Sequence, residues 1–182
     1  MNVALRRAMT VEDYLAWSER QSERQRTELI NGQIVAKASE RVVHNRIKGE
    51  VYLALRRAVA AAKLPCEVLT DGIAVRIDEH TAYEPDALVH CGDSLPGDAM
   101  IAPNPIIVVE VLSPTTKHTD TSAKLIGYFK VSGVAHYLVI DPDARVVTHY
   151  ARDRAPIPLR GGPFRLDPPG LDLTVEELLG PA

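Results

Sequence analysis

The sequence predicts an α/β fold in which a sheet is preceded, interrupted and flanked by helices. Three observations predict it. The β-branched run Ile106–Val109, continued by Val111 and Leu112, has the composition of a strand buried on both faces. Upstream, Val43, Ile47, Val51, Leu55, Ala58 and Ala62 recur at helical spacing. Asn31-Gly32, Asp71-Gly72 and Asp141-Pro142-Asp143 punctuate short apolar runs with turn chemistry. A chain of 182 residues, 46% hydrophobic and 25% charged, suits one domain, residues 1–182, with a sizeable core.

The elements follow in order. Thr10 opens TVEDYLAWSE with Asp13 three residues on, a variant of the capping box, and Tyr14, Leu15 and Trp17 make this helix amphipathic. In TELINGQIVAKAS, Asn31-Gly32 signals a two-residue hairpin. Ser39 is the expected cap of a long helix through Lys63, which Pro65 stops. Strands are expected at Cys66–Thr70, Ile73–Ile77 and Ala87–Cys91, with turns at Asp71-Gly72 and Asp78–His80. A Pro/Gly-bearing loop leads to the strand carrying Glu110, and a helix from Asp120 to Val131 ends near Gly133. Tyr137–Ile140 and Val146–Tyr150 read as strands, Pro156–Pro169 as a surface excursion and Val175–Leu179 as a final helical turn.

Composition excludes several classes. No apolar run approaches the roughly 20 residues that cross a bilayer. In MNVALRRAMT the arginines follow the apolar stretch instead of preceding it, so no signal peptide is expected. Cys66 and Cys91 lie outside any CxxC pair and lack zinc-finger spacing with His90, which predicts reduced thiols in a cytoplasmic protein and no zinc site. A net charge of −3 gives no global basic field. No Gly-x-Ser-x-Gly elbow or nucleotide phosphate loop is present. His80, His118, His136 and His149 read as surface or strand-end residues, and Arg56, Arg57 and Lys63 as the solvated side of the long helix, able also to touch a DNA backbone.

Two acids are placed unusually. Glu110 interrupts the most hydrophobic strand, where an unpaired carboxylate costs several kcal/mol; an arginine or lysine partner is one answer. Asp86, after Pro85 in YEPDALVHC, can be a turn residue at a strand entrance. If the two strands are adjacent, both acids converge, and converging carboxylates need a proton or a cation between them. A hard divalent ion with oxygen ligands meets that need. On the downstream helix Asp120, Lys124 and Tyr128 are spaced i, i+4, i+8 beside the apolar Leu125 and Phe129. Lys124 can therefore reach over the strand ends, or form only a surface pair with Asp120.

The segments TELINGQIV, His44, EPDALV, IIVVEVLSPTTKHTD, the K-x3-Y of KLIGY and GVAHYLVIDP occur in one order across residues 10–150. In this order they resemble the Uma-type restriction endonuclease family, a branch of the PD-(D/E)XK nucleases. The resemblance implies a restriction-endonuclease-like core with a mixed central β-sheet flanked by helices. It implies Mg²⁺, with Mn²⁺ as substitute, held by Asp86, Glu110 and the Val111 carbonyl, and Glu28 near the ion or supporting its ligands. His44 matches a family histidine without a specified role. Leu112 stands where the superfamily carries a lysine; the Uma-type pattern moves that lysine to the next helix, as Lys124. Chemistry requires the ammonium at a point in space, not in sequence.

The implied function is metal-dependent hydrolysis of DNA phosphodiesters, with Asp86, Glu110, Lys124 and Glu28 as the catalytic set. A twofold homodimer would supply two cuts. The alternatives are an interaction module that keeps the fold without cleavage, and a metal-dependent hydrolase of another phosphoester.

Overall fold

The computed structural model describes residues 7–21, 26–113 and 121–181. Asp120, His118 and the Thr115-Thr116 pair lie outside them. Helix α1 (Val11–Glu19) starts where Thr10 accepts the Asp13 N–H at 3.2 Å, as the cap predicts. The hairpin β1 (Thr27–Ile30) and β2 (Gln33–Ala36) turns at Asn31 and Gly32, both at positive φ, with Ile30 opposite Gln33.

Helix α2 (Val42–Ala62) begins at Arg41, which gives no side-chain cap; the expected Ser39 cap is not formed. Its buried face holds Ile47, Val51, Leu55 and Ala58, but also His44 and Lys48, whereas Val43 and Ala62 of the predicted stripe are exposed. Strands β3 (Cys66–Thr70), β4 (Val75–Asp78), β5 (Thr81–Tyr83) and β6 (Ala87–Cys91) follow. β5 has three residues, too few to show a period, and the sequence reading passed over it. Then come β7 (Pro105–Val111), α3 (Thr121–Lys130), β8 (His136–Asp141) and β9 (Val146–Ala151).

The principal sheet has six strands in the order β10-β9-β8-β7-β6-β3. It is mixed: β7 and β8 are parallel, with α3 between them in sequence, and every other pair is antiparallel. Alternation in β7 sorts its side chains. Ile107, Val109 and Val111 pack with α2, whereas Val108 packs with Tyr128 of α3 and Val75 and Tyr83 of a second sheet, β2-β1-β5-β4. Two helices thus cover opposite faces of the sheet.

The segment 156–169 does run along the surface, with Leu166 its one fully buried residue, but it is not irregular. It contributes β10 (Ile157–Leu159) and β11 (Pro163–Leu166); β11 pairs with β12 (Leu171–Thr174) before α4 (Val175–Leu179). Leu166, Leu171 and Leu178 are fully buried in the α2 core. Prolines and turns hid these anchors, since a three- or four-residue strand shows little alternation. His136 is likewise buried, its Nδ1 2.9 Å from His149 Nε2 and its Nε2 2.8 Å from the Pro168 carbonyl oxygen.

Cys66 and Cys91 are joined in a disulfide, which corrects the expectation of reduced thiols. They face each other directly across β3 and β6, an adjacency that the sequence separation of 25 conceals. The cysteines therefore give no support to a cytoplasmic location. Among the described residues no helix is long and apolar enough to cross a membrane.

Candidate active site

The site lies where β6 begins and β7 ends. Antiparallel pairing sets Ala87 opposite Val109, so the entrance of one strand meets the exit of the other. Asp86 is fixed there by backbone on both sides: its N–H donates to the Val109 carbonyl at 3.0 Å, and its Oδ2 accepts the Val111 N–H at 2.8 Å. Asp86 does stand in the bend at the entrance of β6, but it is 3% exposed and its carboxylate is held from β7 and not by its own neighbours.

Glu110 borders the same cavity and reaches towards α3. Its Oε1 accepts from Lys124 Nζ at 2.9 Å and from the Tyr128 hydroxyl at 2.7 Å. The i, i+4 spacing of Lys124 and Tyr128 on one helix face delivers both donors to one oxygen. Close approach of the helix depends on Gly127, where an added Cβ would lie 2.6 Å from the Tyr83 ring. The surface alternative for Lys124 is excluded by its burial, at 5% exposure.

Glu28, on β1, joins the group from the second sheet. Its Oε1 accepts from Lys124 Nζ at 2.9 Å and from the Glu84 N–H at 2.9 Å. Lys124 therefore bridges two acids. Burial pushes the Glu110 carboxyl above the ordinary carboxylate range; Lys124 opposes that shift, and the Asp86 charge adds to it. Burial also raises the phenol of Tyr128 well above its usual value, keeping it a hydrogen-bond donor.

A second set of charges stands on the α2 side, and most of it was missed from sequence. His44 Nε2 lies 2.5 Å from the Val111 carbonyl oxygen and 3.7 Å from Asp86 Oδ2. One turn on, Lys48 Nζ is 3.1 Å from Asp86 Oδ1 and 2.6 Å from Asp71 Oδ2, and it also pairs with Glu40. Arg26 bonds Glu40 and lies 2.8 Å from Asp71. Burial opposes ionisation of Glu40, but the Arg26 and Lys48 hydrogen bonds outweigh it and hold its carboxyl at about 2. The signal was present, since Glu40, His44 and Lys48 repeat the i, i+4, i+8 spacing that marked the later helix. Lys48 follows the apolar Ile47 on the long helix and was not singled out.

One cavity of about 240 Å³ is lined by Glu28, Glu40, His44, Asp86, Glu110, Val111 and Lys124, with Leu112 and Tyr137 as apolar wall; Lys48, Asp71 and Arg26 stand behind it. The structure thus brings together Asp86, Glu110, Val111, Lys124, Glu28 and His44, all singled out in the sequence. Leu112 lies on the cavity wall and donates its N–H to the Ile140 carbonyl.

Comparison with known proteins places this mixed sheet and its flanking helices in a known fold. A crystal structure from Anabaena variabilis ATCC 29413, described as a "putative nuclease belonging to DUF820", matches with a TM-score of 0.74 over 94% of this chain and 97% of that one, at 19% identity. That likeness is one of fold. The family model "Uma2: Putative restriction endonuclease" matches residues 11–176, and the chain belongs to this family. Two relatives come from Synechocystis sp. (strain ATCC 27184 / PCC 6803 / Kazusa). "Uncharacterized protein sll1609" is 27% identical, covering 84% of this chain and 85% of that protein. "Uncharacterized protein slr1290" is 26% identical, covering 87% and 90%.

Proposed function

We propose that this protein is a divalent-metal-dependent endonuclease that hydrolyses phosphodiester bonds in DNA. The observation that carries the reading is the convergence of Asp86, Glu110, Glu28 and Lys124 on one buried cavity. Buried carboxylates at this density are costly without a compensating cation.

The residues present fit a metal ion. Among the described residues, the acids Glu28, Glu40, Asp71, Glu84, Asp86 and Glu110 stand against the cations Arg26, Lys37, Lys48 and Lys124, an excess of negative charge in and around the cavity. His44 Nε2 lies 3.7 Å from Asp86 Oδ2 and 2.5 Å from the Val111 carbonyl oxygen, and ligand atoms of Glu40, His44 and Asp86 lie within 4.8 Å of one another. Asp86, Glu110, the Val111 carbonyl and His44 would hold Mg²⁺ or Mn²⁺. When bound, that ion supplies Lewis acidity and a water of lowered pKa.

The chain's own groups do the rest. Lys124 Nζ, fixed between Glu28 and Glu110, directs a proton at a phosphate oxygen or the attacking water and offsets charge growing in the transition state. Glu28 orients Lys124 and is itself oriented by the Glu84 N–H. The Tyr128 hydroxyl keeps Glu110 from turning away. Leu112 and Tyr137 exclude bulk water from that side of the cavity.

A twofold homodimer acting on DNA completes the reading, since paired cuts need paired sites. Calorimetry with Mg²⁺ or Mn²⁺ and a plasmid-nicking assay test it on the parent and Asp86→Asn. Metal affinity and nicking should fall together in the variant. Unchanged metal affinity in Asp86→Asn removes the site, and a purely monomeric chain in micromolar light scattering removes the dimer.

A further inference from the structure

The proposed reaction uses Lys124 but not the second buried ammonium. Lys48 is 7% exposed, and its Nζ lies 2.6 Å from Asp71 Oδ2, 3.1 Å from Asp86 Oδ1, and 3.1 and 3.3 Å from the two Glu40 oxygens. An ammonium has three donors, and here three different carboxylates surround it. They come from the segment before α2, the turn after β3 and the entrance of β6, so only the fold assembles them. His44 adds an independent sign. Its Nδ1 is buried without a hydrogen bond, although Glu40 Oε2 is 3.0 Å away. Ligand atoms of Glu40, His44 and Asp86 all lie within 4.8 Å of one another.

We propose that Lys48 occupies the place of a second divalent cation, so that this site takes one ion where a two-ion nuclease takes two. Asp86 shows the arrangement most directly. Its Oδ1 faces Lys48, while its Oδ2 faces the Val111 N–H and His44. A carboxylate shared between two ions about 3.5–4 Å apart divides its oxygens in the same way. Charge agrees: Glu40, Asp71 and Asp86 carry three negative charges against the two of Lys48 and Arg26. Replacing the ammonium by a divalent ion brings the group to neutrality, so removal of Lys48 should open a site that an ion fills.

The inference rests on the metal reading only for the ion beside Val111; the Lys48 position is tested separately. Mn²⁺ bound per chain is counted by electron paramagnetic resonance in the parent, Lys48→Met and Lys48→Gln. The parent should bind one ion, and each variant one more than the parent, with spectral broadening from the neighbouring spin. Thermal unfolding provides the second measurement. Without metal, Lys48→Met should melt well below the parent, and Mn²⁺ should raise its midpoint by more than it raises the parent's. An equal Mn²⁺ count in parent and variants overturns the inference. So does a parent that binds two ions, or a pair of variants that stay unfolded in saturating Mn²⁺. A parent that binds none defeats the metal-dependent reading instead, while a gain of one ion in the variants still supports the role of Lys48.

Discussion

The cavity is flanked by two buried lysines, and their surroundings differ. Lys48 is ringed by Glu40, Asp71 and Asp86, and Glu40 is held ionised down to about 2. Lys124 bridges Glu28 and Glu110, and there burial wins, leaving the Glu110 carboxyl raised despite the ammonium at 2.9 Å. In the first arrangement one ammonium meets three carboxylates within 3.1 Å. The second keeps an acid that is reluctant to ionise until another positive charge arrives. A carboxyl raised by burial on a cavity wall is the kind of perturbed group that accompanies functional sites.

Replacing each lysine in turn tests this contrast. Lys124→Met should lower DNA cleavage by roughly 10²–10³-fold, the usual loss when one donor to the transition state is removed. Its stability should suffer little, because Glu110 can take up a proton in place of the lost partner. Lys48→Met in the absence of metal should show the reverse emphasis. Breaking a buried network strands its carboxylates and costs about 3–5 kcal/mol. Urea denaturation and plasmid nicking on the two variants measure both effects. Equal destabilisation of the two variants would erase the distinction between them.

Acid titration separates the clusters further. Glu40 has its carboxyl lowered from 4.5 to about 2, so its contribution to stability is fully present above the ordinary carboxylate pKa and is lost as pH falls through about 2. Glu40→Gln should therefore be less stable than the parent at neutral pH, by about 1–3 kcal/mol, and the gap should close between about pH 4.5 and 2. Denaturation midpoints at several pH values check this; a gap that is constant down to pH 2 would mean that Glu40 acts only through packing.

The sequence exposed the Lys124 cluster more readily than the Lys48 cluster, for a physical reason. Glu110 breaks an apolar strand, and a violation of pattern is visible without knowing any contact. Lys124 and Tyr128 share a helix face, which spacing alone reveals. Lys48 and Glu40 violate nothing: each lies where a polar residue is ordinary, and Asp71 reads as a turn residue beside Gly72. Their meaning arises only when α2 crosses the strand ends. The disulfide was hidden likewise, since it depends on β3 pairing with β6. At the C-terminal end Leu166 and Leu171 were obscured by prolines, although both complete the core under α2.

The smallest effect should come from Glu110→Gln. The Glu110 carboxyl is raised by burial first, with Lys124 opposing and Asp86 adding to the shift. For an acid whose folded value is raised, the protonated form is favoured in the folded state. Its contribution is present below the unfolded pKa, near 4.5, and is lost as pH rises through the raised folded value. Glutamine mimics the protonated acid at every pH. The variant should therefore match the parent in acid and equal or exceed it at neutral pH, by on the order of 1 kcal/mol or less, since Lys124 keeps Glu28 as partner. Binding of Mg²⁺ should weaken at the same time. A Glu110→Gln protein that is several kcal/mol less stable at neutral pH would show Glu110 to be as settled as Glu40, and the two lysine clusters would then be alike.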